Sequence, residues 1–254
     1  MRNEIVKNDR PTRNRILIAT PTLGIVRAEW AAARWGQTTP CNWSSSFISL
    51  GMSSLFPIGY LVADAQNIAV DDCVRKDFEW LLLHEDDVIL PIDCFLRLNE
   101  YMRGSKYPVV SGLYYTKSNP PEPLIYRGRG NSYFAKWKMG EKVRVDGVPT
   151  GCLIIHSSLL KLMWKESEEY ETSLNRKVRR VFETPAKVWS DPEKGNLCST
   201  TGTSDLYWCD RVIKEDVLRR SGWKKLAGER YPFLVDTNIF CKHVDLSTGV
   251  QYPL

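Results

Sequence analysis

Three consecutive carboxylates, Glu85, Asp86 and Asp87, follow an apolar run of strand length at 78–83. Neighbouring carboxylates repel one another and lose hydration at a strand end unless a cation lies among them. Oxygen ligands of this kind suit Mn²⁺ or Mg²⁺, and ligands bind at the carboxyl ends of strands in open parallel sheets. The cluster therefore predicts a divalent metal site. A solvated acidic turn, or a cap for the helix that Pro91 opens, is the alternative interpretation.

A further carboxylate that could take part in catalysis is Asp205. It lies at the start of a predicted helix over 205–221 that stops at Gly222. The helix dipole stabilises an ionised carboxylate in this position. Asp205 can therefore accept a proton from a hydroxyl group as a general base. The alternative is that Asp205 only caps its helix.

The elements that must hold these residues follow from apolar periodicity and from turn residues. The segment 15–20 predicts a buried first strand closed by Pro21, and 57–75 predicts a helix. Strands alternating with helices through residue 103 indicate a parallel sheet. Further predicted strands lie at 78–83, 109–114, 143–145, 152–155, 233–235 and 239–240, and further helices begin at Pro91, Ser157 and Asp205. The charge block 165–187 is typical of a solvated loop or helix face.

The composition, with 43% hydrophobic and 26% charged residues among 254, predicts one globular domain over 15–254. Residues 1–14 are predicted to be a flexible basic arm, because they lack the apolar core of a secretory signal. No apolar run is long enough to span a membrane. Seven cysteines without a CxxC pair suit free thiols in a reducing compartment, so we expect a cytoplasmic protein. The net charge of +5 permits an acidic partner without requiring one.

Seven segments, taken in chain order, resemble motifs of the GT-A glycosyltransferases, and more narrowly of the glycosyltransferase family 2-like proteins of bacteria and phages. They are Ile16–Thr22, Ala65–Asn67, Glu85–Asp87, Val110–Tyr114 with 120–123, Val145–Ile154, Thr203–Asp205 with Tyr207 and Trp208, and Lys242–His243. The resemblance covers nearly the whole chain. It implies an α/β fold of GT-A type, with a single nucleotide-binding mixed sheet flanked by helices and a Rossmann-like N-terminal half. The nucleotide-binding half would span about 15–115 and the acceptor-side half about 116–254.

The resemblance also implies a function, the metal-dependent transfer of a sugar from a nucleotide-diphosphate sugar to a hydroxyl acceptor. Asp205 would be the base of an inverting reaction. The other implied site residues fall into three sets. The metal, Mn²⁺ or Mg²⁺, would be bound by Asp87, Glu85 and His243. The nucleotide-sugar would contact Thr20, Pro21, Thr22, Asp64, Asn67, Glu85 and Asp86. The acceptor side would include Asp146, Thr150 and Gly151.

Three residues depart from the family pattern. Gln66 replaces an arginine, Glu85 replaces the first aspartate of the DxD motif, and Ser204 replaces a glutamate. These departures favour a competing hypothesis, a glycan- or nucleic-acid-binding relative without activity. A retaining transferase with the same metal site is a second alternative. A sugar-phosphate nucleotidyltransferase is a third, although Gly24 is the single glycine in the loop after the first strand, where such enzymes have several.

The stretch 126–138 interleaves basic and aromatic residues. Such residues can stack bases and pair with phosphates, or stack sugar rings. A β-hairpin with aromatic and basic residues on alternate faces is the simpler prediction. We therefore expect a saccharide or other hydroxyl acceptor. A nucleic-acid acceptor, as for a DNA-modifying phage glycosyltransferase, is the less favoured possibility.

Overall fold

The computed structural model describes residues 16–43, 54–128, 133–190 and 197–253. The helices are α1 (Ala28–Trp35), α2 (Val62–Arg75), α3 (Cys94–Gly104), α4 (Ser157–Glu166), α5 (Ser204–Lys214), α6 (Val217–Arg220) and α7 (Lys224–Ala227). The strands are β1 (Ile16–Ala19), β2 (Ser54–Leu55), β3 (Trp80–His84), β4 (Val88–Ile89), β5 (Val109–Leu113), β6 (Lys142–Val145), β7 (Cys152–His156), β8 (Glu169–Glu171), β9 (Lys177–Arg179), β10 (Ala186–Ser190), β11 (Leu197–Thr201), β12 (Phe233–Phe240), β13 (Lys242–Val244) and β14 (Gln251–Tyr252). The predicted arm at 1–14 lies outside the described residues.

Seven strands form one mixed sheet in the order β2-β1-β3-β7-β5-β12-β6. Strands β2, β1 and β3 pair in parallel, as do β5 and β12, whereas β7 is antiparallel to both of its neighbours and β6 is antiparallel to β12. The expected mixed α/β sheet is therefore confirmed. Because β7 lies between β3 and β5, strands from both halves of the chain build the same sheet.

Helices cover both faces of this sheet because the central strands are apolar on both sides. Leu81 and Leu83 of β3 pack on one face in a cluster with Trp208 of α5, and α2 and α4 contribute further side chains to that cluster. Trp80 and Leu82 pack on the opposite face with residues of α3. Each of these side chains is fully buried, which stabilises the fold by about 1.5–3 kcal/mol for a leucine-sized group.

Two predicted helices have different bounds in the structure. Helix α2 begins at Val62 rather than at residue 57, because the backbone around Ile58 pairs instead with Thr22 in an isolated parallel bridge. The helix predicted over 205–221 is divided into α5 and α6. Asp216 takes a positive φ of 52° between them, a conformation that interrupts helical hydrogen bonding.

Several short elements were not predicted. They include α1, the β8–β9 hairpin inside the charge block, and a three-stranded sheet in the order β14-β13-β4. The two predicted strands at 233–235 and 239–240 form the single strand β12, whose register shifts between Asp236 and Phe240. The hairpin interpretation of 126–138 is wrong for the residues that the structure describes there. Residues 133–138 form no strand, and the guanidinium of Arg127 lies over the rings of Phe134 and Tyr231.

A buried chain of hydrogen bonds joins four parts of the fold at the end of β3. The Ser204 hydroxyl at the start of α5 donates to Oε1 of Gln66 in α2 at 2.8 Å. The Gln66 amide donates to the hydroxyl of Thr150, before β7, at 3.2 Å. Thr150 then donates to Oε1 of Glu85 at 2.7 Å. The hydrogen bonds all run in one direction, from Ser204 toward Glu85, so Glu85 accepts the last of them from Thr150.

We predict that Thr150→Val destabilises the protein by about 1–3 kcal/mol, because valine keeps the shape but leaves Gln66 and Glu85 without their partner. Thr150→Ser keeps the hydroxyl and loses one methyl group, so it should cost no more than about 1 kcal/mol. Urea unfolding of both variants measures the difference. Equal destabilisation by the two substitutions would show that the methyl group, and not the hydrogen-bond chain, contributes the stability.

Candidate functional site

The acidic turn Glu85–Asp87 connects β3 to β4 at the edge where β1 and β3 end. Three backbone contacts hold the turn. The Glu85 amide donates to the Gly151 carbonyl at 3.1 Å, and the Glu85 carbonyl accepts from the Val88 amide at 3.2 Å and from Nε1 of Trp30 at 2.9 Å. The three carboxylates line a cavity of about 300 Å³ together with residues from the end of β1 and from the segment before α2.

Asp87 and His243 form a close pair at this edge. Strand β13 runs antiparallel to β4 with His243 opposite Val88, which brings Nε2 of His243 to 3.1 Å from Oδ2 of Asp87. Nδ1 of the same ring lies 2.8 Å from the carbonyl of Tyr115. A carbonyl only accepts, so Nδ1 carries a proton. In a neutral ring Nε2 would then present a lone pair to a carboxylate, and the pair is favourable only with a proton or another cation between the two atoms.

Lys117 supplies positive charge to the same carboxylate. Its Nζ lies 2.5 Å from Oδ2 of Asp87. Burial raises the pKa of Asp87, but hydrogen bonds and positive charge from His243 and Lys117 outweigh burial, so the pKa lies below its usual range. The second oxygen, Oδ1, is buried and has no hydrogen-bond partner in the described part of the chain. Asp87 is therefore an ionised carboxylate with one oxygen left without a partner.

The other two carboxylates of the turn are shifted in the opposite direction. Burial, and then the charge of Asp87, raise the pKa of Glu85 to about 8, although the hydrogen bond from Thr150 opposes them. Burial also raises the pKa of Asp86, against a hydrogen bond from the Thr22 hydroxyl. The surroundings thus favour the ionised form of Asp87. Burial and repulsion from neighbouring carboxylates oppose the ionisation of Glu85 and Asp86 unless positive charge is added.

Asp205 lies in the first turn of α5, as the sequence predicted. Its Oδ1 accepts from the Leu206 amide at 2.8 Å. Burial raises its pKa, and a hydrogen bond from Thr203 partly offsets that increase. The charge of Asp205 also raises the pKa of Glu85 and of Tyr126. Asp205 is therefore within electrostatic range of the acidic turn.

Of the residues predicted at the end of β1, Pro21 and Thr22 line the cavity beside Asp86. The Thr22 hydroxyl accepts from the Gly24 amide at 3.0 Å. Thr20 is fully buried, and its hydroxyl has no partner among the described residues. Two of these three residues are therefore accessible from the cavity, and Thr20 lies beneath them.

Asp64 and Asn67 use their polar atoms within the protein. Asp64 accepts from the Tyr170 hydroxyl at 2.7 Å and from the Ser173 amide at 3.0 Å. Asn67 donates to Tyr170 and to the Phe182 carbonyl, and its Oδ1 accepts two backbone amides. These bonds hold the segment 170–182 on α2. They give both residues a structural role, and the predicted contact with a nucleotide stays a prediction.

The predicted acceptor-side residues also divide into one with a structural contact elsewhere and two that lie beside the acidic turn. Both oxygens of Asp146 lie 3.1 Å from the Gly128 amide, so this carboxylate holds the turn at 126–128. Thr150 and Gly151, by contrast, contact Glu85 directly. A Cβ atom on Gly151 would lie 2.5 Å from the Tyr114 hydroxyl. Glycine is needed here because the backbone must approach Tyr114 closely.

Lys117 and Tyr115 were missed by the sequence reasoning. Both follow β5, so the rule that ligands bind at the carboxyl ends of strands could have identified them. Trp30 was missed because α1 was missed. Its indole ring stacks on the ring of His84 at 4.9 Å between centroids, and burial lowers the pKa of His84 to about 4. His84 is therefore a neutral packing residue.

Two kinds of feature are absent from the part of the chain that the structure describes. Over residues 16–43, 54–128, 133–190 and 197–253, no group of three or more His, Cys, Asp or Glu side chains is arranged to hold a metal ion. Asp87 and His243 are a pair. None of the helices that the structure describes is long and apolar enough to cross a bilayer.

No protein-family model and no curated protein matches the chain. Among solved structures, the chain is similar to the protein A197 from STIV, with 16% identity and a TM-score of 0.51, over 91% of this chain and 86% of that one. A second match is a protein from Bacillus anthracis described as a glucose-1-phosphate thymidylyltransferase, with 12% identity, 86% and 99% coverage, and a TM-score of 0.37. The first match shows a shared fold, and the second is too weak to support an argument.

Proposed function

We propose that this protein is a metal-dependent glycosyltransferase that moves a sugar from a nucleotide-diphosphate sugar to a hydroxyl acceptor. The observation that carries the proposal is the Asp87–His243 pair beside the cavity at the end of β1 and β3. Asp87 contributes an ionised carboxylate, one oxygen of which is buried without a partner among the described residues. His243 contributes Nε2, since Nδ1 donates its proton to the Tyr115 carbonyl. This arrangement suits a cation that itself binds phosphate groups.

Asp87 and His243 fit Mn²⁺ or Mg²⁺ on chemical grounds. A metal-binding histidine commonly donates its other ring N–H to a backbone carbonyl, as His243 does to Tyr115. Mg²⁺ is usually bound by one or two carboxylates, with water and substrate phosphates as the remaining ligands, so few protein ligands are needed. The ion would neutralise the negative charge that develops on the departing diphosphate.

Lys117 is the observation that favours a variant of the same function. Its ammonium group already neutralises Oδ2 of Asp87. If Lys117 turns toward the substrate it can contact the diphosphate directly, and the transfer then proceeds with less or no dependence on metal. The metal-dependent and lysine-dependent forms share the pocket and the reaction, and differ in their response to a chelator.

Asp205 is the proposed base. The acceptor hydroxyl would give its proton to the carboxylate as its oxygen attacks the anomeric carbon, and the bonding pair would leave with the nucleoside diphosphate. Burial supports this role because it raises the pKa of Asp205 toward that of a useful base. Glu85, oriented by Thr150, would contact the ribose or a water molecule bound to the cation.

The first prediction that follows from this proposal concerns the cation. Asp87→Ala should abolish Mn²⁺-dependent binding of a nucleoside diphosphate, because it removes the ionised ligand. His243→Ala should weaken that binding by at least about tenfold. Isothermal titration with and without Mn²⁺ measures both effects. Glu100→Ala, which removes an exposed carboxylate on α3, is the matched control and should bind as wild type does.

Two outcomes would decide between the forms of the proposal. Unchanged Mn²⁺-dependent binding in both variants would refute the metal site. Donor hydrolysis that survives a chelator and is lost in Lys117→Met would assign the positive charge to the lysine. Circular dichroism of each variant separates these effects from loss of folding.

The second prediction tests the base. Asp205→Asn keeps the size of the side chain and its acceptor for the Leu206 amide, but it cannot take a proton as a carboxylate does. Turnover should fall by about two to four orders of magnitude, while donor binding stays near wild type. The product should carry the anomeric configuration opposite to that of the donor, which proton NMR reads directly. Retention would exclude Asp205 as the base, and a fully active Asn variant would move the base elsewhere.

The third prediction follows from the raised pKa of Glu85. Because the folded-state pKa of about 8 exceeds the ordinary value of 4.5, the stability that protonation of Glu85 contributes is complete below 4.5 and is lost as pH rises from there to 8. Glu85→Gln mimics the protonated form. The free energy of unfolding of Glu85→Gln relative to wild type should therefore increase between pH 5 and pH 8, by at most about 1.4 kcal/mol for each pH unit.

Urea unfolding at several pH values measures this difference. Asp86, Asp87 and Asp205 lie close enough to act on Glu85 and are present in both proteins, so the comparison with wild type removes much of their own contribution. Added Mn²⁺ should reduce the pH dependence if the cation neutralises the cluster. A stability difference that does not change with pH would show that Glu85 is not desolvated as described.

A further inference from the structure

The opposite edge of the sheet contains a second cavity, of about 560 Å³. It lies where β5 and β12 begin, between the segment after α3, strand β6 and helix α7. The acidic turn lies at the other ends of these strands. The two cavities are therefore separated by the length of the sheet, and the second one belongs to no part of the proposed transferase site.

The charge of this cavity is entirely positive. None of its lining residues is an aspartate or a glutamate, whereas four are cationic and two are large aromatic residues. They are Lys106, Arg144, Lys224, Lys225, Tyr107 and Trp223. The three lysines are exposed and form no ion pair with a residue that the structure describes.

Contacts with other residues of the protein hold Arg144 and Trp223 in place. Nε of Arg144 donates to the Tyr231 carbonyl at 2.8 Å, and its guanidinium lies over the Tyr107 ring at 5.2 Å. Nη2 of Arg144 is buried and has no acceptor among the described residues. Trp223 donates from Nε1 to the Ser158 hydroxyl at 3.0 Å. The wall that these two residues form is thus fixed before any ligand binds.

No lining residue carries negative charge to offset the four cations. The C-terminal carbonyls of α3, just before Lys106, carry the equivalent of about half a negative charge. A carboxylate ligand supplies one negative charge per group, whereas a phosphate group supplies about 1.5–2. Two phosphate groups therefore supply most of the negative charge that the four cations require. The cavity volume is that of a small-molecule pocket, and the aromatic side chains offer surface to a ring attached to the phosphates.

We propose that this cavity binds a small anion with two phosphate groups, such as a diphosphate ester, through Lys106, Arg144, Lys224 and Lys225. The proposal does not depend on the transferase function, because no residue is shared between the two sites. Binding that needs no metal ion and depends on Lys106, Lys224 and Lys225 distinguishes this cavity from the acidic turn, where a diphosphate would meet a metal ion or Lys117.

Titration calorimetry with inorganic pyrophosphate, in EDTA and at low ionic strength, tests the proposal. Saturable binding is expected, and it should weaken as salt is added because the lysines are exposed. The double variant Lys224→Gln with Lys225→Gln should raise the dissociation constant by about tenfold or more. Lys106→Gln provides a second, independent variant that leaves α7 unchanged.

Two controls make the result specific. Lys177→Gln removes an exposed lysine on β9 and should leave pyrophosphate binding within about twofold of wild type, since β9 is not part of the cavity. Asp87→Ala should also bind normally in EDTA. The proposal is overturned if no saturable binding occurs at concentrations on the order of 1 mM, if Lys177→Gln weakens binding as much as the double variant does, or if Asp87→Ala abolishes it.

Discussion

The repulsion among Glu85, Asp86 and Asp87 is the constraint on which the arrangement of this region depends. Burial strengthens that repulsion, since it removes water that would otherwise screen the carboxylates. Each of the three carboxylates is stabilised by a different kind of contact. Asp87 receives positive charge from Lys117 and His243, Glu85 receives a hydrogen bond at the end of a buried chain, and Asp86 accepts from the loop after β1. Asp87 is the carboxylate of the turn whose ionised form the surroundings favour, so we expect an added cation to bind there first.

These solutions require residues that are far apart in the sequence to meet at one edge of the sheet. The three-stranded sheet of β4, β13 and β14 brings His243 to Asp87 across 156 positions. Strand β5 ends beside this pair, so Tyr115 contacts His243 and Lys117 contacts Asp87. Because β7 is antiparallel between β3 and β5, its start brings Thr150 and Gly151 to the same edge. The mixed sheet is therefore what allows the compensating groups to reach the acidic turn.

The sequence predicted the parts of this fold that depend on apolar pattern. Strands β1, β3, β5 and β7 are buried on both faces and were identified from their apolar runs. The short strand β4 was not, because Val88–Ile89 has no pattern of its own and pairs only once β13 lies beside it. The same difference applies to the site. His243 and Asp87 were predicted through a resemblance, while Lys117 and the bonds of Asp64 and Asn67 depend on tertiary contacts that spacing does not encode.

The three residues that depart from the pattern which the sequence resembles have a joint explanation in the hydrogen-bond chain. Ser204 needs an acceptor, and Gln66 supplies one at Oε1, which the arginine of the family pattern could not because a guanidinium only donates. Gln66 in turn donates to Thr150, whose own proton goes to Glu85. Glutamate is one methylene longer than the aspartate of the DxD motif, and its carboxylate is the end of the chain. Each unusual residue thus has the donor or acceptor that the next requires. Taken singly they suggest a site that has lost its function, whereas together they form a connected and satisfied network, which is the condition under which buried polar groups add rigidity.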